Sequence, residues 1–190
     1  MTDRGRAVET ELIRQCQAGA QRFYEPLVRA YEPEAHRLAM GMLGDGDMAH
    51  DAVQQAFIKA YDGLDRFELG RSFRPWFLQI LRNQCRDMLR RQKAGFETKR
   101  MDEVLEERLP SSSSPEGDHR RTAARELLWK GLGRISVDHR EVLVMKELEG
   151  FNYAEIAEAM GIPEGTVASR LYHARRALRA ALEELGAEYP

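Results

Sequence analysis

Hydrophobic residues recur at intervals of three and four along most of this 190-residue chain, the spacing that lines one face of an α-helix. Four such stripes lie in the N-terminal half, at 12–16, 27–42, 53–64 and 77–88. A further stripe spans 128–135 and is followed by helical patterns towards the C-terminus. The N-terminal half holds no convincing strand pattern. The sequence therefore predicts an all-α fold.

A polar segment separates the two helical halves. Its run PSSSSPEG at 110–117 is poorly suited to any regular element, because proline and glycine interrupt helices and strands alike. We therefore predict two small helical domains, at 9–95 and 122–187, joined by a flexible acidic linker at 96–121. The linker contains five basic and seven acidic residues.

Turn and capping residues predict several helix ends. The loop at 43–47 precedes the third stripe, and Asp47 is a candidate N-cap for that helix. Ser136 is a candidate N-cap for a helix over 137–148, and Gly150 follows the expected end of that helix.

The segment at 151–176 predicts two helices joined by a tight turn. Asn152 and Glu155 have the spacing of a capping box at the start of the first helix. Gly161 is suited to end that helix, because glycine readily adopts the left-handed conformation of a sharp reversal. Pro163 suits the first turn of the second helix, where its missing N–H is not needed.

The second of these helices has an apolar face and a polar, basic face. Its predicted buried stripe consists of Val167, Leu171, Ala174 and Leu178, and its outward residues are Ser169, Tyr172, His173 and Arg176. A helix of this kind fits the major groove of DNA. The alternative is an ordinary helical hairpin with a solvated basic face, but an outward tyrosine and the absence of acidic residues between Glu164 and Glu183 favour DNA.

A second candidate interface is the helix at 73–91, FRPWFLQILRNQCRDMLRR. Facing away from its apolar stripe are Gln79, Arg82, Asn83, Arg86, Arg90 and Arg91. Basic side chains can follow a phosphate backbone, and amides or aromatic rings can hold an unstacked base. The alternative is a solvated arginine face with Trp76 and Phe77 in the core, and we favour the core for these two rings. So many like charges on one helix repel each other unless an anion compensates them.

Charge is concentrated at these two places although the chain has a net charge of −2. Residues 71–93 carry seven basic side chains against Asp87 alone, and 164–179 carry four against Glu164. Two basic patches on an acidic protein indicate nucleic-acid contact at chosen sites.

The two cysteines, Cys16 and Cys85, lack metal-ligand spacing and fall on apolar faces, so we expect buried thiols. No signal peptide or membrane span is predicted, and a cytoplasmic location is the default.

Three segments together resemble one family. DAVQQAFIKAYDGLDRF resembles the core-binding helix of extracytoplasmic-function (ECF) sigma factors, the minimal two-domain sigma factors of bacterial RNA polymerase. FRPWFLQILRNQCRDMLRRQ resembles their promoter-melting helix, and YAEIAEAMGIPEGTVASRLYHARRAL resembles their helix-turn-helix. The order of the segments and the linker between them also match, so the resemblance covers nearly the whole chain.

The resemblance implies a sigma factor that binds core RNA polymerase and directs transcription from specific promoters. It implies roles for three groups of residues. The core-binding residues are Asp51, Gln54 and Phe57. The residues for binding and opening the minus-ten element are Arg82, Asn83, Arg86, Arg90 and Arg91. The residues for reading the minus-thirty-five duplex are Ser169, Arg170, Tyr172, His173, Arg175 and Arg176, with the arginines better placed for phosphates.

The resemblance also bears on partners. It implies core RNA polymerase, promoter DNA and an anti-sigma factor, with no cofactor and no small-molecule substrate. The acidic linker is either a simple tether or a strand that occupies a positive channel of the polymerase until RNA displaces it.

Two other functions fit the residues less well. A stand-alone helix-turn-helix regulator would bind duplex DNA without polymerase, but the N-terminal half shows no dimerisation heptad or ligand pocket. An enzyme acting on nucleic acid would need catalytic or metal-binding residues, and the sequence offers no acidic cluster, glycine-rich phosphate loop or nucleophile–base pair. We therefore predict no enzymatic activity, no catalytic residues and no metal site.

Overall fold

A computed structural model describes residues 3–99 and 119–187, which form eight α-helices. The N-terminal domain contains α1 (Asp3–Gln17), α2 (Tyr24–Leu43), α3 (Gly46–Gly63) and α4 (Phe73–Lys99). Short 3₁₀ turns at Gln21–Phe23 and Leu64–Arg66 precede α2 and follow α3. The C-terminal domain contains α5 (His119–Arg134), α6 (Val137–Leu143), α7 (Tyr153–Met160) and α8 (Glu164–Glu184), with a π-helical turn at Val144–Leu148 after α6. The all-α prediction is confirmed for the described residues.

Aromatic rings from three helices form the centre of the N-terminal domain. Phe57 of α3 stacks on Phe77 of α4 with ring centroids 4.5 Å apart, and Phe77 in turn stacks on Phe73. Tyr31 of α2 packs against both Phe73 and Phe77. Such rings bury large apolar areas, so this cluster holds α2, α3 and α4 together. Phe77 is fully buried and Trp76 is half-buried against Phe67 and Phe73, as expected for core residues.

In the C-terminal domain, α8 packs against α5, α6 and α7. The predicted stripe on α8 faces this core: Val167, Leu171 and Ala174 are buried, and Leu178 is half-buried. Gly131 of α5 faces Leu178 and Leu182 so closely that a Cβ there would lie 3.2 Å from Leu178 Cδ1. The absence of a side chain at this position lets α5 and α8 approach each other.

Two predicted helix starts need correction. Asp45, not Asp47, caps α3: its backbone is extended, and its Oδ1 accepts a hydrogen bond from the Met48 N–H at 2.8 Å. Asp47 lies inside the first turn, where its negative charge still favours the helix N-terminus. Pro163 precedes the first residue of α8 rather than lying within its first turn.

Other predicted ends agree with the structure. Ser136 caps α6 by accepting from the His139 N–H, and the helical segment that follows ends at Leu148, although its last five residues form the π-helical turn. The linker prediction falls mostly on 100–118, which lie outside the described residues. At its edges, 96–99 belong to α4 and 119–121 belong to α5.

The two domains contact each other directly. Helix α2 packs against α6 and the π-helical turn, and α4 packs against α7. One close approach is at Gly41 of α2, where a Cβ would lie 2.9 Å from Val144 Cγ2. Buried residues from both domains therefore belong to one continuous hydrophobic core.

Candidate nucleic-acid interface

The two ends of α7 are determined by short-range interactions. Asn152 Oδ1 accepts from the Glu155 N–H, and Glu155 Oε2 accepts from the Asn152 N–H, each at 2.9 Å. This is the predicted capping box. Gly161 ends α7 with φ of +63°, the left-handed conformation in which a side chain would be strained. The backbone after α7, where the Gly161 N–H donates to the Glu158 carbonyl and the Ile162 N–H donates to the Ala157 carbonyl, sets the direction in which α8 begins.

The outward face of α8 is open to solvent. Ser169, Tyr172, His173 and Arg176 are all exposed, and the Tyr172 side chain is 57% accessible. The Arg176 guanidinium lies 5.7 Å from the centre of the Tyr172 ring. This face combines hydroxyl, imidazole and guanidinium groups, which can donate to base edges and phosphates in a major groove.

The other two predicted arginines of α8 differ in their surroundings. Arg170 is half-buried, and Arg175 is exposed but donates to Glu147 Oε1 at 2.6 Å. That hydrogen bond raises the pKa of the Arg175 guanidinium. Exposed ion pairs of this kind are weak, so a DNA phosphate can replace Glu147 as the partner.

The basic face of α4 is partly covered by the C-terminal domain. The Arg82 side chain is only 12% accessible, and its Nη1 donates to the carbonyl oxygen of Met160 at 3.2 Å. Arg86 pairs with Asp138 and with Glu141, the latter at 3.1 Å. By contrast, Asn83, Arg90 and Arg91 are exposed. The structure thus places three of the five predicted minus-ten residues in solvent and two in the domain interface.

Glu141 is the centre of this interface. Its carboxylate has no accessible surface, and its Oε1 lies 3.1 Å from Arg82 Nε at an angle that does not meet hydrogen-bond geometry. Burial raises the pKa of the Glu141 carboxyl, while Arg82 and Arg86 act in the opposite direction. Glu141 supplies the anion that the crowded arginines of α4 require.

The predicted core-binding residues lie on α3 but do not share one environment. Asp51 and Gln54 are exposed, and Gln54 Nε2 is 2.7 Å from His50 Nε2. Phe57 is 7% accessible and packs inside the aromatic core, so its ring supports α3 from within. Next to it, Ile58 is 54% exposed and offers an apolar surface, although it is not among the predicted core-binding residues.

Asp138, Arg140 and Glu141 of the domain interface are not among the predicted site residues. One signal was available for Glu141: it follows Val137 by four residues and precedes Val144 by three, so it occupies an apolar position of a helical stripe. A carboxylate at such a position needs a cationic partner. Arg140 has no comparable signal, because its partners are backbone carbonyls, and the one in the other domain belongs to Met42, 98 residues away.

The described residues contain no group of three or more histidine, cysteine or acidic side chains arranged to hold a metal ion. In the same part of the chain, no helix is both long and apolar enough to cross a membrane.

Two family models match this chain. The model described as Sigma-70 region 2 matches residues 27–95, and the model described as Sigma-70, region 4 matches residues 125–178.

Among curated proteins, the chain is 30% identical over 184 residues to the ECF RNA polymerase sigma factor SigW of Bacillus subtilis (strain 168), with 91% of this chain and 96% of that protein covered. It is 31% identical over 173 residues to the ECF RNA polymerase sigma-E factor of Escherichia coli (strain K12), with 88% and 90% covered.

Among solved structures, CnrH in complex with the cytosolic domain of CnrY matches with a TM-score of 0.69 and 25% identity, covering 93% of this chain and 98% of that one. The sigma factor RpoE in complex with the anti-sigma factor NepR from Bartonella quintana matches with a TM-score of 0.67 and 28% identity, covering 84% and 96%.

Proposed function

The chain belongs to the ECF RNA polymerase sigma factors, and from that premise we propose which of its surfaces carry each step of promoter recognition. As a sigma factor it is not an enzyme: it binds core RNA polymerase and directs initiation at specific promoters. The domain limits 9–95 and 122–187 and the residue roles below belong to the proposal. The observation that carries the proposal is the exposed polar face of α8, which follows the left-handed glycine turn at the end of α7.

The outward face of α8 reads the minus-thirty-five element as duplex. Ser169, Tyr172 and His173 lie where they can reach base edges or the backbone, and all three are exposed. Arg170, Arg175 and Arg176 contact phosphates, which position the helix without selecting sequence. Because His173 can donate to guanine or to phosphate, the preferred sequence has to be measured.

The outward face of α4 binds and opens the minus-ten element. Asn83 contacts the non-template strand, and Arg82, Arg86, Arg90 and Arg91 contact its phosphates. Unstacking a base costs a few kcal/mol, and the phosphate contacts offset part of that cost. Arg82 and Arg86 can take this role only after the C-terminal domain has released them.

The exposed side of α3 docks on core polymerase through Asp51 and Gln54, while Phe57 maintains the helix from the core. Ile58 adds an apolar contact beside them, since it is exposed on the same helix. We also infer that the chain has an anti-sigma partner and acts in the cytoplasm. The anti-sigma inference is supported by RpoE, whose solved structure contains the anti-sigma factor NepR.

Transcription with purified components tests the proposal. The chain and core polymerase together are expected to start transcripts at discrete promoters from a genomic library, and neither is expected to do so alone. Duplex binding without any polymerase-dependent transcript would contradict the proposal and favour a stand-alone regulator.

A further inference from the structure

The ion pairs across the domain interface all have the same direction of charge, with the arginine in the N-terminal domain and the carboxylate in the C-terminal domain. Five arginines of the N-terminal domain pair with five carboxylates of the C-terminal domain. We call these two groups the arginine face and the acidic face. The arginine face consists of Arg37, Arg71, Arg74, Arg82 and Arg86, and the acidic face consists of Asp138, Glu141, Glu149, Glu155 and Glu158.

We propose that the acidic face is an intramolecular docking surface that occupies Arg82 and Arg86 in place of promoter phosphates, so that the free chain is closed to the minus-ten strand. The proposal rests on the phosphate-binding role given above to these two arginines. A carboxylate and a phosphate carry the same sign of charge and accept the same guanidinium hydrogen bonds. Glu141 and a DNA phosphate therefore compete for the same side chains.

Burial makes this competition strong. Glu141 has no accessible surface, and the side chains of Arg82 and Arg86 are 12% and 28% accessible. A strand of DNA cannot reach Arg82 while α6 and α7 cover it. Separating a buried pair without replacing either partner is costly, so opening is favoured when both DNA and polymerase supply new contacts.

Directional hydrogen bonds specify a single docked arrangement. Arg82 of the N-terminal domain donates to the carbonyl of Met160, at the end of α7. Arg140 of the C-terminal domain donates to the carbonyl of Met42, near the end of α2, at 2.7 Å. Each domain therefore has one arginine that donates to a carbonyl at the C-terminal end of a helix in the other domain, where the helix dipole is negative.

Close packing supports the same arrangement. The Arg74 guanidinium lies 3.7 Å from the centre of the Phe151 ring and donates to Glu155 at 2.7 Å. Gly41 provides the space for Val144, since a methyl group there would overlap the Val144 side chain. The interface thus combines ion pairs, a guanidinium stacked on an aromatic ring and close steric fit. A nonspecific contact between two domains would need none of these three features.

Docking covers two arginines of the minus-ten surface and none of the outward residues of α8. The outward residues of α8 stay exposed in the docked arrangement, whereas Arg82 and Arg86 do not. The closed chain is therefore expected to bind minus-thirty-five duplex normally and to bind single-stranded DNA poorly. This selectivity separates docking from a general loss of function.

A disulfide lock tests the proposal directly. The Cβ built at Gly41 lies 3.3 Å from the Val144 Cβ, just below the separation of about 3.5–4.5 Å usual across disulfides. The full chain carrying Gly41→Cys and Val144→Cys is expected to cross-link on mild oxidation. The oxidised form should lose binding to short single-stranded DNA of random sequence and lose transcription with core polymerase. It should keep binding a duplex that the wild-type chain selected from a random library, and dithiothreitol should restore both lost activities.

Two further variants open the interface instead. Glu141→Gln should raise the affinity for the single-stranded probe by about tenfold or more, because the closed state then loses the buried carboxylate that pairs with both Arg82 and Arg86 and keeps only the pair between Arg86 and Asp138. Glu183→Gln is the matched control, since Glu183 pairs with Arg179 on the exposed side of α8 and should leave the affinity unchanged. Gly41→Ala should act like Glu141→Gln, and adding Val144→Ala should reverse its effect.

The outcomes separate this proposal from sigma function itself. Failure of the cysteine pair to cross-link, or an oxidised form that binds single strands as well as the reduced form, would overturn the docking proposal. Loss of duplex binding on oxidation would overturn its selectivity. A reduced chain that starts no transcript would instead count against the assignment of sigma function. If the cysteine variant does not fold, unchanged strand affinity in Glu141→Gln overturns the docking proposal.

Discussion

The Arg140 guanidinium joins two helix ends from different domains. It donates to the Met42 carbonyl at 2.7 Å, and also to the carbonyls of Leu132 and Gly133 at 2.7 and 3.1 Å. Burial lowers the pKa of this guanidinium. Replacing it with glutamine leaves several carbonyls without a charged donor. We expect Arg140→Gln to lower the free energy of unfolding by about 2–4 kcal/mol in urea titrations followed by circular dichroism.

Arg134→Gln is the matched control for this measurement. Arg134 lies in the same domain, but its pair with Glu184 is 3.6 Å long and both side chains are at least half exposed. The control should change the free energy of unfolding by less than about 1 kcal/mol. Equal effects of the two substitutions would show that Arg140 contributes no more than a surface arginine.

Arg176→Ala should weaken duplex binding about equally across sequences. Arg176 is exposed on the outward face of α8, where its guanidinium can reach a phosphate without selecting a base. Fluorescence anisotropy over a series of salt concentrations should show the slope of log K against log[salt] reduced by about one unit. Arg14→Ala on α1 should leave the slope unchanged. A changed sequence preference in the Arg176 variant would identify it as a base contact.

Asn83→Ala should leave polymerase docking intact and impair promoter opening. Asn83 is exposed on α4, so the substitution does not disturb the core; its Oδ1 accepts from Arg82 Nη2 at 3.0 Å. Permanganate reactivity of promoter thymines should fall by about tenfold, while affinity for core polymerase stays unchanged. Gln92→Ala, an exposed amide on the same helix, should behave as wild type. Weakened docking in the Asn83 variant would show that the polymerase surface extends onto α4.

The Cys85 thiol should resist alkylation in the folded protein. It is fully buried, and burial, with a smaller contribution from the charge of Glu141, raises its pKa to about 12. At pH 8 only about one thiol in ten thousand is then ionised. Iodoacetamide treatment followed by mass spectrometry should label Cys85 only after denaturation. Labelling of the native protein at the rate of the denatured chain would point to an accessible, redox-sensitive thiol.

Local features of this fold followed directly from the sequence. The capping box of Asn152 and Glu155 and the left-handed Gly161 were predicted correctly, because each depends on residues only a few positions apart. The cap of α3 was misplaced by two residues, since Asp45 and Asp47 are both capable caps and only the backbone decides between them. The exposed face of α8 was also predicted correctly, because the helical repeat places it opposite the buried stripe.

Helical periodicity and short motifs are therefore enough to predict the helices, their apolar faces and the family to which the chain belongs. Which side chains of the basic helix α4 are covered and which are exposed depends instead on the tertiary structure. Glu141 is 55 residues from Arg86, and Arg140 is 98 residues from Met42. Helical periodicity does not relate such distant positions. Their pairing follows from how the two domains dock, and that docking determines that Arg82 and Arg86 are covered while Tyr172 and Arg176 are exposed.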